Sequence, residues 1–212
     1  MDSAISDNPR TVPDSPVDIG YKCSWFAVRN MDTQALASLL GLKYVLAYNW
    51  RYGIAAAQSG DIFISPPIQE WRLVLGNTLP FGDSEASWAK VVALLTEISQ
   101  VAGEAQFFAT HRVTEFQCWT KARAGAIVRE YAYLGEAMQV IRDTGARAHG
   151  EPDDLLTAET IYALENNEDL KLHFPDEETV MAVAGAWSVN PNEISKGSQS
   201  TVLGLVGTLS ER

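Results

Sequence analysis

The stretch from residue 106 to 134 constrains the fold more than any other part of the chain. Three runs rich in Phe, Tyr, Trp and Val, at 106–112, 114–122 and 126–134, follow one another with almost no chain between them. A parallel neighbour needs a crossover of a dozen residues or more, so runs this close pair antiparallel. Arg123-Ala124-Gly125 supplies a hairpin loop with a glycine for positive φ. Gly135-Glu136 then turns the chain toward 138–142. The expectation is an antiparallel meander.

Upstream, residues 21–28 alternate Tyr21, Cys23 and Trp25 against more polar neighbours, which predicts a strand. Asp32 or Thr33 caps a short helix with Leu36, Leu39 and Leu40 on one face and Gly41 as its stop. Residues 44–58 hold Trp50 and Tyr52 without a clean period and read as irregular or partly helical. Asp61-Ile-Phe-Ile-Ser65 predicts a strand ended by Pro66-Pro67, with 71–75 as its antiparallel neighbour. Trp88, Val91, Val92, Leu95 and Ile98 recur at helical spacing between a cap at Asp83 or Ser84 and Gly103. Downstream, 157–166 predicts a short helix using Leu156, Ile161 and Leu164. Pro175-Asp176-Glu177-Glu178 opens a stronger one, because proline suits a helix entry and carboxylates suit the positive end of the helix dipole. Val180, Val183, Ala184 and Trp187 would face inward, and the six tryptophans serve mostly as core.

With 212 residues, 46% of them apolar and 20% charged, the chain suits one domain with a buried core. Residues 1–18, rich in Pro, Asp and Ser, read as a flexible tail, 19–195 as the domain, and 196–212 as a loose Gly-Ser-rich tail from which Val202, Leu203, Leu205 and Val206 could dock. The fold class expected is α+β, an antiparallel sheet with helices packed on one face. Cys23 and Cys118 lie far apart in strand-like runs, which favours packed free thiols over a disulfide. The first residues lack the pattern of a secretory signal and no apolar run is long enough to span a bilayer, so cytoplasmic residence without membrane contact is expected.

The net charge of −11 argues against a nucleic-acid partner, since an acidic surface repels phosphates. Its distribution is uneven: residues 151–178 hold ten acidic residues against Lys171 alone, so 28 positions carry −9 and the rest of the chain −2. Such a segment is either a solvated face that aids solubility or a negative surface that steers and docks a basic protein. The contacts expected on the second reading are Asp153, Asp154, Glu165, Glu168, Asp169 and Glu177.

Signatures with a mechanical reading are missing: there is no phosphate-binding glycine loop, HExxH, CxxC, GxSxG or EF-hand loop. No catalytic residue, metal or cofactor is therefore expected. Of three histidines, His111 is the one placed to act, because on a strand it shares a face with Val113 and Glu115. Glu115, Glu130 and Glu136 could supply paired carboxylates, although cross-strand pairing with Arg112, Lys121 or Arg129 explains them more simply.

Several strings carry a resemblance. They are Trp25-Phe-Ala-Val28, Leu39-Leu-Gly-Leu42, Asp61-Ile-Phe-Ile-Ser-Pro-Pro67 and Trp71-Arg-Leu-Val-Leu-Gly76, then Thr110-His-Arg-Val113, Arg129-Glu-Tyr-Ala-Tyr-Leu-Gly-Glu136 and Phe174-Pro-Asp-Glu-Glu178 through Trp187-Ser188. Over about residues 21–190 the chain resembles a family of bacterial proteins similar to the immunity proteins found beside secreted antibacterial (polymorphic) toxins. The resemblance implies stoichiometric binding of a cognate toxin, most simply by covering its active site, and brings no catalytic residues with it; the acidic segment adds the expectation that the toxin presents a basic surface. Two other readings stay open: a small hydrolase using His111 with a carboxylate, and an adaptor of a secretion system.

Overall fold

The computed structural model describes residues 8–20, 23–164, 171–196 and 201–209. The meander forms as expected from its short connections: β5 (Glu104–His111), β6 (Phe116–Arg123), β7 (Ala126–Leu134) and β8 (Gln139–Thr144) pair in sequence, all antiparallel. Between β6 and β7 only Ala124 and Gly125 remain, at φ 47° and 82°, the two consecutive left-handed residues that a tight hairpin with the twist of its strands requires.

Five more strands extend this ladder: β1 (Cys23–Arg29), β2 (Leu42–Tyr48), β3 (Ile62–Ile64), β4 (Trp71–Leu75) and β9 (Gly204–Leu209). Together they make one nine-stranded sheet in the order β2-β9-β3-β4-β1-β5-β6-β7-β8. Among the described residues five α-helices complete an α+β fold: α1 (Thr33–Leu39), α2 (Trp50–Gln58), α3 (Glu85–Ala102), α4 (Ala158–Leu164) and α5 (Glu177–Trp187). Capping accounts for where they start. Asp32 accepts from the amides of Gln34 and Ala35, Ser84 from that of Ser87, and Asp176 forms a capping box with Thr179.

The helices cover both faces of the sheet, which corrects the expectation of one covered face. Period-2 alternation places Trp25 and Ala27 of β1 in one core with Trp50 of α2 and Val180, Val183 and Trp187 of α5. Phe26 and Val28 enter the opposite core, with Leu36 of α1 and Val91, Leu95 and Ile98 of α3. A strand buried on both faces reads as a continuous apolar run, and β1 is buried from Ser24 to Val28.

Both tails assigned from composition are corrected in their described parts. β9 lies inside the sheet, between β2 and β3, with Val206 opposite Phe63. Its glycines are a packing requirement: a Cβ on Gly204 would run into the Phe63 ring and come within 2.5 Å of the Ile64 carbonyl oxygen. Residues 8–18 form a strap. The carboxylate of Asp14 accepts from the amides of Trp50 and Arg51 at the start of α2, and the Asn49 amide donates to the carbonyls of Pro9 and Val12. Residues 44–58, read as irregular or partly helical, hold the end of β2, the cap Asn49 and α2, so the helical alternative is the one that forms. β2 was illegible because only Leu42 on it is buried and Tyr44 sits at φ 53° within a register shift.

Candidate functional site

The acidic segment is drawn together by backbone pairing. Leu155 and His173 form an isolated parallel bridge, with the His173 amide donating to Asp154 (2.8 Å) and the Leu156 amide to His173 (3.0 Å). The His173 ring then meets the hydroxyl of Thr179, 2.7 Å away in the first turn of α5. Asp153 and Asp154 therefore lie beside the entry to α5, where Asp176, Glu177 and Glu178 stand. The guanidinium of Arg147 fixes the same loop by donating to the carbonyls of Pro152, Asp153 and Leu155. Burial acts to raise the Asp176 carboxyl pKa, but hydrogen bonds from the Thr179 hydroxyl and amide, with His173 nearby, outweigh it and hold the group below its ordinary value.

A cleft of about 440 Å³ opens at this helix entry. Its walls come from three places: Phe174 to Glu178 leading into α5, Arg112 and Glu115 from the β5–β6 turn, and Gln117 and Tyr133 from the sheet. Glu115, at φ 50°, holds the turn, and its carbonyl accepts from the Gly135 amide, so the ends of β6 and β7 are locked together beneath it. Arg112 grips Glu177 with both ends of its fork, Nε to Oε1 at 3.0 Å and Nη2 to Oε2 at 2.7 Å. The other charged residues of the lining are all acidic (Glu115, Asp176 and Glu178), so the cleft favours cations.

The contact residues expected from the sequence divide accordingly. Asp153 and Asp154 are exposed on the loop paired with His173 and are not among the lining residues of the cleft, whereas Glu177 lines it, although its carboxylate is engaged by Arg112. Glu165, Glu168 and Asp169 lie outside the described residues. Glu151, counted with the acidic segment, is a core group: its side chain is fully buried on Arg129. Glu178 and Gln117 were not anticipated. Gln117 carried a signal, since it is a polar residue in phase with the buried Trp119 on one strand face.

His111 lines a different cavity, of about 350 Å³, with Cys23, Ser24, Ile54, Asn77 and Phe81 among its walls. Among the described residues no carboxylate lines it, and Glu115 stands in the acidic cleft instead, so the expected His111–Glu115 pairing does not form. The His111 Nδ1 is taken up by the Thr114 hydroxyl at 3.1 Å, and Phe81 packs edge-on against the ring. Cys23 is no activated nucleophile: burial, with the negative charge of Glu177 adding, pushes its thiol up to about 12, and its Sγ donates to the Gly20 carbonyl. The cross-strand pairing expected for the remaining carboxylates is also revised, because Arg112 pairs with Glu177, and Arg129 with Glu151 and Asp143.

Among the described residues, no group of three or more His, Cys, Asp or Glu is placed to hold a metal, and no helix is long and apolar enough to cross a membrane. No family model, curated protein or solved structure matches the chain.

Proposed function

We propose that the protein is an immunity protein that neutralises a cognate antibacterial toxin by direct binding, presenting an acidic surface to a basic surface of the toxin. The observation that carries the reading is the Leu155–His173 bridge. It brings the loop of Asp153 and Asp154 against the segment that leads into Asp176, Glu177 and Glu178, three carboxylates that share a cleft with Glu115. Carboxylates spread evenly over a surface aid solubility, whereas a concentrated field raises encounter rates with a basic partner and rejects acidic ones. The resemblance of residues 21–190 to immunity-type proteins points the same way. Nothing at His111 favours the hydrolase reading: its Nδ1 is engaged by the Thr114 hydroxyl, and no carboxylate lines its cavity among the described residues.

The test is co-expression in bacteria with the product of the adjacent gene, scoring growth and co-purification. Rescue of growth together with a stable complex is the expected result. Changing Asp153, Asp154 and Glu178 together to lysine should weaken the complex by about tenfold or more at low salt and flatten its salt dependence. A toxic neighbour that is neither bound nor neutralised, or a complex indifferent to the triple reversal, would overturn the reading.

A further inference from the structure

Gln117 is the anomaly of the acidic cleft. It lines the cleft and is 3% exposed, yet its Oε1 makes no hydrogen bond. Its neighbour across the ladder on β5, Thr110, is fully buried with an unpartnered hydroxyl, and its neighbour on β7 is Tyr133. A buried acceptor without a donor is costly, and native folds keep few of them. At the same site Glu115 and Glu178 are exposed and form no ion pair among the described residues. Carboxylates and a buried amide oxygen together are acceptors waiting for a multidentate cationic donor.

We propose that this cleft anchors an arginine side chain presented by the partner protein, its guanidinium serving Gln117, Glu115 and Glu178. The inference rests on the partner-binding reading above and names what the partner must carry. Two observations favour a guanidinium over an ammonium. Acceptors spread over a strand, a turn and a helix suit the five N–H donors that a guanidinium carries on three nitrogens better than the three that an ammonium carries on one. Phe174, 43% exposed at the mouth and edge-on to Tyr133, offers an aromatic wall on which a flat cation stacks. The cleft already holds one guanidinium in this manner, since Arg112 sits bidentate on Glu177.

The test uses the full chain and needs no toxin. Titrating 15N-labelled protein with Nα-acetyl-arginine N-methylamide should shift the Gln117 side-chain amide and the first-turn amides of α5, with a dissociation constant on the order of 1 mM. The paired change E115Q/E178Q, on exposed side chains, should weaken binding about tenfold, and the lysine analogue should bind several-fold more weakly. Shifts absent from Gln117, or shifts untouched by E115Q/E178Q, would each overturn the anchor. If these shifts appear while the neighbouring gene product proves harmless, only the immunity reading falls. If rescue succeeds with no shift at Gln117, only the anchor falls.

Discussion

Arg129 and Glu151 meet inside the protein as a two-pronged ion pair, Nε to Oε1 at 2.9 Å and Nη2 to Oε2 at 2.7 Å, with side chains 3% and 0% exposed. The same guanidinium reaches Asp143 Oδ1 at 2.6 Å and the carbonyls of Glu130 and Thr144. Glu151 thereby ties the loop that carries Asp153 and Asp154 to β7.

Removing Glu151 leaves the buried guanidinium with only the partly exposed Asp143 as a counter-charge. Glu151→Leu is expected to destabilise the fold by about 3–5 kcal/mol, while the joint replacement Arg129→Met with Glu151→Leu costs less than the two single changes added together. Denaturant midpoints of the wild type, both single variants and the double variant check this. Additive losses would show that the pair does not act as a unit.

The sheet depends on its last described strand. Deleting 204–212 removes β9 and bares the facing edges of β2 and β3, so the truncated protein should be recovered mainly as aggregate. Gly204→Val, which crowds Phe63 and the Ile64 carbonyl, should cost about 1–3 kcal/mol. Recovery of soluble truncated protein with an unchanged melting temperature would contradict the placement of β9.

Neither thiol should react in the native state. Burial pushes both Cys23 and Cys118 up to about 12, so at pH 8 alkylation by iodoacetamide should run roughly a thousandfold slower than in the unfolded chain. Mass spectrometry of timed samples reads the difference. Fast labelling of Cys23, which lines the His111 cavity, would reopen thiol chemistry there.

Asp176 links stability to pH through the entry of α5. Its folded pKa lies below the unfolded value, so its charge adds stability that is fully present above about pH 4 and is lost as pH falls through the folded pKa. Asp176→Asn keeps an acceptor for the Thr179 amide and removes the charge. The variant should be less stable than the wild type at pH 7, and the gap should close in acid. A gap that stays constant down to pH 2 would exclude this linkage.

What was legible in the sequence was what local chemistry decides alone. The meander followed from short gaps between aromatic runs, α3 from Ser84, Gly103 and a helical period, and the start of α5 from proline and carboxylates in one turn. Composition failed where a segment's conformation is set by what it touches. β9 looks like a glycine-rich linker because Gly204 makes room for Phe63 and Ile64 and Gly207 for the carbonyl of Lys43, and the strap at 8–18 looks loose because its bonds run to Asn49, Trp50 and Arg51. The acidic charge was countable in the sequence, but its meaning was not. Only tertiary pairing buries Glu151 on Arg129, bends Asp154 back to His173, and sets Glu115, Glu178 and the unpartnered Gln117 around one cleft. Charge is a property of residues, whereas a site is a property of distances, and those are made by contacts between residues far apart in the chain.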